Sequence, residues 1–313
     1  MQETGGVCRL SVQLVTMEGI TVIIPAYNEE RAIGEVLGHL HRVMGDCGLV
    51  HELIVVDDGS QDKTSEIARS CAGVTVLQHR QNRGYGAALK TGMRHASHDL
   101  ICITDADGTY PNEHIPELCR RLCEEGYDMV VGARVGANVA IPAIRRPAKW
   151  ALGLLANYVA GESIPDLNSG LRAFRRKVAL RFTGILPDAF SFTTTITLAM
   201  LTNRYLVDYI PIDYYARVGK SKIRPLQDTM NFVRLVWRIA LYFAPLKFFL
   251  PASAVLLVMA LSWGLFTLLV LGQLADVSTL VMIMTAFQIA AIGMLAELIN
   301  KRLPNYFQED DLS

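Results

Sequence analysis

The chain has 313 residues, of which thirty are basic and thirty acidic, so its formal net charge is zero; 51% of it is hydrophobic. That balance gives no overall pull toward nucleic acid, and the length exceeds one ordinary domain, leaving room for one large domain plus an appendage. Six cysteines, Cys8, Cys47, Cys71, Cys102, Cys119 and Cys123, lack paired metal-type spacing and read as reduced thiols, while the polar N-terminus has no apolar stretch of a secretory signal.

Residues 1–18 read as a flexible leader. From residue 19 to 224 strand and helix patterns alternate. Strands are expected at Ile20 to Ile24, Glu52 to Val56, Val74 to Leu77, Leu100 to Thr104 and Met129 to Val131, with helices near 29–46, 62–71, 85–96 and 112–124. Such alternation predicts a mainly parallel, Rossmann-like sheet wrapped by helices. Ligands of open α/β sheets bind beyond the carboxyl ends of the strands. Those ends read "PAYNEE", "DDGS", "QHRQNRG" and "DADGTYP", and the polar residues concentrate there.

Further along, "IRRPAKWALGLLANYVAG" joins Arg145, Arg146 and Lys149 to an apolar helix with Trp150 and Tyr158. Residues 225–245 repeat the pattern, with Arg234 and Arg238 beside Trp237 and Tyr242. Basic and aromatic flanks on amphipathic helices suit a bilayer interface. Composition then changes. Within 246–303, Phe248 to Gly272 and Val277 to Ile299 are nearly free of charge. At ~1.5 Å per residue each can cross ~30 Å of hydrocarbon, so a two-helix transmembrane hairpin is expected, followed by a short tail, 304–313. Lys247, Lys301 and Arg302 flank it and the turn Gln273 to Asp276 has no Lys or Arg, which places both termini and the large domain in the cytoplasm. Mid-span Gln288 is expected to face the other helix.

Asp105 and Asp107 lie two apart after the apolar run "ICIT", so on extended chain they share a side. Two hard oxygen ligands in an open site suit Mg²⁺ or Mn²⁺, which complete their shells with phosphate and water. Asp107-Gly108 also suits a plain turn. Asp57 and Asp58 follow "ELIVV", where Ser60 or Asp62 also suits a helix cap. Pro25 is expected to stop the first strand, ahead of Tyr27 and Glu29. Together these put an aromatic ring, acceptors and a metal-type pair on one sheet edge, an arrangement suited to a nucleotide.

In order and spacing, "VIIPAYNEE", "IVVDDGS", "NRGYGAALKTG" and "ITDADG" resemble the family 2 glycosyltransferases with the A-type nucleotide-sugar fold. "DLNSGLRAFRR" and "YYARVGKSKI", followed by the hairpin, resemble the polyprenyl-phosphate branch, which contains the dolichyl-phosphate mannose and glucose synthases. The resemblance implies that 19–224 is a cytoplasmic nucleotide-sugar transferase domain. By motif, Pro25, Tyr27 and Glu29 line the base and ribose pocket, and Asp57 reads the nucleoside. Asp105 and Asp107 hold a divalent cation and the diphosphate, with Ala106 against the nucleotide. Arg134 reaches donor or lipid phosphate, and Arg217 with Lys222 clamps phosphate. Several relatives carry Gln, Ser or Arg where this chain has Thr109, and a hydroxyl ligates a metal weakly, so Thr109 is not counted as a ligand.

The acceptor expected is a polyprenyl phosphate, undecaprenyl or dolichyl, met by Arg145, Arg146 and Arg172. A phosphate monoester has a second pKa near ~6, so the nucleophile is already ionised and needs no strong base. Asp166, in "PDLNSG", is the candidate active-site carboxylate, either as a base or as an orienting group, with Ser169 and Arg172 building the same wall. Displacement without a protein nucleophile implies inversion. Three rivals are weighed. "GYGAAL" lacks the third glycine and the strand context of a dinucleotide fingerprint. A processive polysaccharide synthase needs a Gln-x-x-Arg-Trp motif not found here, and a non-enzymatic nucleotide-sugar-binding membrane protein has no use for an intact acidic pair. UDP versus GDP, the sugar and a homo-oligomer stay open.

Overall fold

The computed structural model describes residues 19–139, 146–189, 191–215, 238, 241–272 and 277–306. The leader, Arg145, Arg217, Lys222 and nearly all of 225–240 lie outside them. In chain order the elements are β1 (Ile20–Ala26), α1 (Ile33–Asp46), β2 (His51–Asp57), α2 (Thr64–Ser70), β3 (Val74–Gln78), α3 (Tyr85–His95) and β4 (Leu100–Ile103). A single 3-10 turn (Asn112–His114) leads into α4 (Ile115–Glu124), then β5 (Met129–Val139), α5 (Arg146–Ala160), β6 (Arg172–Arg175) and α6 (Arg176–Leu180). The series ends with α7 (Phe192–Thr202), β7 (Val207–Tyr214), α8 (Pro245–Leu271) and α9 (Val277–Tyr306).

Seven strands form one sheet in the order β3-β2-β1-β4-β6-β5-β7. The pairs β1–β2, β1–β4, β2–β3 and β5–β7 are parallel, and β6 runs antiparallel between β4 and β5. The first five strands were expected; β6 was not. "RAFR" is four residues with arginine at both ends, so it carries no apolar run to announce a strand. Alternation sorts β1 and β4 onto two cores. Val22, Ile24, Leu100 and Cys102 face one, with α1 and α4. Ile23, Ile101 and Ile103 face the other, with α3 and α7. Helix α7, "FTTTITLAMLT", is buried along almost its whole length. Its β-branched residues have weak helix propensity, but the hydroxyls of Thr195, Thr197 and Thr202 bond back to carbonyls four residues earlier, which lets them sit in a core.

The order reverses at β1, whose neighbours are β2 on one side and β4 on the other. That switch point opens a crevice at the strands' carboxyl ends. Two further helices stand apart from the sheet, with Pro245–Val270 and Val277–Ile299 long and apolar enough to cross a membrane and only 17% and 11% buried. Lys247 ties α8 to the end of α5, its Nζ donating to the carbonyls of Tyr158 (2.9 Å) and Val159 (3.0 Å). Gln288 is exposed and does not face α8, contrary to the sequence expectation. Cys47, Cys71, Cys102, Cys119 and Cys123 are all free thiols.

Candidate active site

The crevice is built by loops that brace each other. Strand β1 runs through Pro25 to Ala26, past the expected stop, with Pro25 opposite Val56 of β2. On the other side β4 has ended opposite Ile23, so the missing proline N–H breaks no ladder bond. Tyr27 follows, 40% exposed at the sheet edge. Asn28 takes a left-handed φ of 55°, a conformation its short polar side chain tolerates. Its N–H donates to Ser60 Oγ (2.9 Å), its Oδ1 accepts from Gln61 N–H (2.8 Å), and Glu29 N–H donates to Thr64 Oγ1 (2.8 Å). The β1 and β2 loops thus lock together. Asp57 is fully buried; its Oδ1 accepts from Ser60 N–H at 2.9 Å, while Oδ2 has no hydrogen-bond partner among the described residues. A buried carboxylate oxygen without a partner is costly, and a hydrogen-bond donor is what it lacks.

Asp58 does a different job from its neighbour. Its Oδ1 meets His79 Nδ1 (2.7 Å) and Arg83 N–H (2.9 Å), and its Oδ2 takes Gly84 N–H (2.8 Å). This pins the loop before α3 and with it Tyr85, whose hydroxyl donates to Asp105 Oδ1 at 3.0 Å. The glycines of "GYG" serve packing: Cβ atoms at Gly84 and Gly86 would collide with the carbonyls of Asp188 and Pro187. No pyrophosphate need be invoked for them.

Asp105 and Asp107 follow β4, with Ala106 buried between them and Gly108 at a φ of 72° closing the turn. Asp107 is 8% exposed. Thr109 donates to its Oδ1 twice, from Oγ1 (2.7 Å) and from N–H (3.2 Å). Thr109 therefore aims Asp107 instead of adding a ligand of its own. Gly170 packs on Asp105; a Cβ there would stand 2.8 Å from Asp105 Oδ2. Its N–H donates to Tyr110 Oη at 2.6 Å. Burial, then the Asp105 charge, pushes the Tyr85 and Tyr110 hydroxyls well above the usual phenol range, so both stay protonated at neutral pH.

The opposite wall joins Arg134 to Asp166. Arg134 Nε and Nη2 reach the two Asp166 oxygens at 2.7 and 3.0 Å, and Arg134 N–H adds a third bond at 3.1 Å. The Asp166 side chain is 0% exposed and that of Arg134 16%. Burial opposes the Arg134 charge, but the Asp166 hydrogen bonds outweigh it and hold the guanidinium above its ordinary pKa. The guanidinium also lies 5.1 Å from the centre of the Tyr214 ring, which packs edge-on against Tyr110.

Arg172 is corrected by the structure. It is fully buried, and its guanidinium donates to Ser169 O, to Thr193 O (3.2 Å) and to Thr197 Oγ1 (2.9 Å). It braces the wall from behind and offers no open face to a lipid phosphate. Arg146 opens α5, but its side chain is outside the described residues, as are Arg145, Arg217 and Lys222 entirely. Pro25, Tyr27, Glu29, Asp57, Asp105, Ala106 and Asp107 all fall at the ends of β1, β2 and β4. Tyr85, Tyr110 and Gly170 were missed, because the contact of each is made across the fold and not along the chain.

Asp105 and Asp107 suit a divalent cation by donor type. Among the described residues no cluster of three or more His, Cys, Asp or Glu is placed to hold a metal. The absent side chain at Gly170 keeps the space beside Asp105 open.

Comparison with known proteins points the same way. Residues 21–182 match the model of glycosyl transferase family 2, and residues 244–301 that of the GtrB C-terminal hairpin. A dolichyl-phosphate hexose transferase of Haloferax volcanii is 33% identical over 212 residues, covering 67% of this chain and 89% of its own. An undecaprenyl-phosphate 4-deoxy-4-formamido-L-arabinose transferase of Edwardsiella ictaluri is 34% identical over 168 residues, and the match spans about half of each protein, 52% and 51%. Among solved structures, glucosyl-3-phosphoglycerate synthase of Mycobacterium tuberculosis, in complex with Mn²⁺, uridine diphosphate and phosphoglyceric acid, superposes with a TM-score of 0.57. At 23% identity, over 72% of this chain and 79% of that one, it shares the fold.

Proposed function

The chain belongs to glycosyl transferase family 2, and we propose that it transfers a hexose from a UDP- or GDP-linked donor to a polyprenyl phosphate at the cytoplasmic face of a membrane. The observation that carries this reading is the pair Asp105 and Asp107 at the switch point, each oriented by a hydroxyl, in a chain that also bears a membrane-length hairpin. Names of relatives that use dolichyl and undecaprenyl phosphate support the acceptor class.

In this reading the exposed Tyr27 ring covers the base, and the unpaired Asp57 Oδ2 accepts a base N–H. Asp105 and Asp107 hold Mg²⁺ or Mn²⁺, which when bound supplies Lewis-acid neutralisation of the departing diphosphate. The acceptor phosphate is ionised at neutral pH, so its oxygen attacks the anomeric carbon without a protein base. The bond from that carbon to the diphosphate oxygen breaks on the opposite side, its electron pair leaving with the nucleoside diphosphate, and the sugar inverts. Asp166 then serves as an orienting group, since its oxygens are committed to Arg134 and to backbone N–H groups. Arg134 presents positive charge to phosphate, and Arg145, Arg146, Arg217 and Lys222 extend that charge along the membrane side.

A panel of UDP- and GDP-hexoses with undecaprenyl and dolichyl phosphate, scored for labelled lipid, tests the activity. Lipid product with one donor and none without lipid phosphate is expected; donor turnover indifferent to the lipid would sink the acceptor assignment. For topology, a reporter after Ser313 should lie inside and one at Leu274 outside. Both on one side would overturn the two-span reading.

A further inference from the structure

Pro251 lies inside α8, a short way into the stretch long enough to cross a membrane. A proline has no N–H, so the carbonyl four residues earlier, that of Lys247, loses its helical partner. Helix α5 has a matching deficit at its end. It stops at Ala160, where Gly161 turns to a φ of 81° and donates to the Asn157 carbonyl at 2.8 Å. Helical donors for the Tyr158 and Val159 carbonyls would be Glu162 and Ser163, which lie beyond that turn.

Each helix supplies what the other lacks. The Tyr158 hydroxyl donates to the Lys247 carbonyl at 2.9 Å, and Lys247 Nζ donates to the Tyr158 and Val159 carbonyls at 2.9 and 3.0 Å. A cation also suits the negative end of the α5 dipole. Nζ stands 5.5 Å from the centre of the Tyr158 ring, which packs edge-on against Phe248. The end of α5 is thus tied to the first turn of α8 in both directions.

Helix α5 is fixed in turn to the crevice wall. Asn157 Oδ1 accepts from Ile164 N–H at 2.9 Å. Ala156 and Val159 share one apolar cluster with Ile164 and Leu167, which flank Asp166 in the chain, and with Ala244, just ahead of α8. Contacts therefore run without a break from the start of α8 to the residues on either side of Asp166.

We propose that Lys247 and Tyr158 form a positioning clamp that sets the height and tilt of the crevice over the bilayer. The proposal rests on the reading that the acceptor is a lipid phosphate held in a membrane. Such an acceptor presents its headgroup at one depth, and the crevice has to be held at the matching level. Small misplacements of reacting groups are costly, about 100-fold for 1 Å. A phosphate free in solution reaches the crevice at any height, so the clamp serves the bilayer-held acceptor alone.

The full chain in liposomes is assayed with undecaprenyl or dolichyl phosphate, and in detergent with geranyl phosphate, which is too short to fix its own depth. Lys247→Met should cut kcat/KM for the bilayer lipid on the order of tenfold, with kcat/KM for geranyl phosphate and the donor KM unchanged. Tyr158→Phe should act in the same direction and add little to Lys247→Met, whereas Lys247→Arg should keep most of the rate. An undiminished lipid rate, an equal loss with both acceptors, or additive losses in the double variant would each overturn the clamp. Wild-type chain that glycosylates geranyl phosphate but no membrane lipid defeats the acceptor reading and the clamp together. Transfer to lipid that is indifferent to both variants defeats the clamp alone.

Discussion

Asp57, Asp58, Asp107 and Asp166, at the carboxyl edge of the sheet, are at most 8% exposed. Glu117, Glu124 and Glu125, on and just after α4, have side chains 39%, 44% and 40% exposed. In the first set Asp57 and Asp107 are held by backbone N–H groups and a hydroxyl, Asp58 by backbone N–H groups and the buried His79, and Asp166 by the largely buried Arg134. The second set is held by Arg120 and Arg121 in water. Carboxylates of the edge are thus aimed by groups that cannot move without the fold moving. Those of α4 are paired by long side chains that can let go. The same chemical group is a tool in one place and a solvated surface in the other, and substitutions should rank accordingly.

The sharpest contrast is expected at Asp107. Asp107→Ala should cut lipid glycosylation by orders of magnitude while circular dichroism and melting stay near wild type, because the loop backbone is still closed by Gly108. Activity that survives in this variant under excess chelator would remove the metal role and with it the distinction between the two acidic sets.

Second comes Asp166→Asn, which leaves Arg134 largely buried without its counter-charge. Breaking such a pair costs roughly 3–5 kcal/mol, so the melting temperature should fall, and Arg134→Met added to it should recover part of the loss. Equal stability of single variant and wild type would mean that water reaches the pair and that the edge is no drier than α4.

Much of this was legible beforehand, and the reason is local. Strand-end motifs such as "YNEE", "DDGS" and "DADG" sit within a few residues of the apolar runs that form β1, β2 and β4, so their place follows from the strands. The wall did not show, because it is made across the fold. Arg172 has the composition of a phosphate ligand, yet its position on a four-residue antiparallel strand buries it under α7. Asp166 is visible as a carboxylate after a proline, but its commitment to Arg134 depends on β5 passing beside it. Helix α7 escaped because threonine-rich sequence reads as strand until a core surrounds it.

Third is Tyr85→Phe, which removes one hydroxyl from the edge and nothing else. Its oxygen fixes the Asp105 carboxylate, and groups that orient a metal ligand typically carry about 10- to 100-fold in affinity. Titration of Mn²⁺ by electron paramagnetic resonance should show that weakening, with an unchanged fold. An unaltered Mn²⁺ isotherm would make the tyrosine mere packing.

The smallest effect belongs to Glu117, and its size and pH dependence follow from its surroundings. Hydrogen bonds from Arg120, then Arg121, hold the carboxyl down at about 2, against 4.5 for a free one. A depressed folded pKa means that the folded state favours the charged form. Its contribution is therefore complete above about pH 4.5 and is lost as the pH falls toward 2. With the side chain 39% exposed, solvent screens the pair, and exposed ion pairs are worth under about 1 kcal/mol. Glu117→Gln should therefore lower stability only slightly at neutral pH and not at all near pH 2, with salt shrinking the difference further. Glycosylation of lipid should be untouched, because the network lies on the helix outside the crevice. A loss comparable to that of Asp166→Asn, or one that persists at low pH, would show that α4 is not the yielding surface its exposure implies.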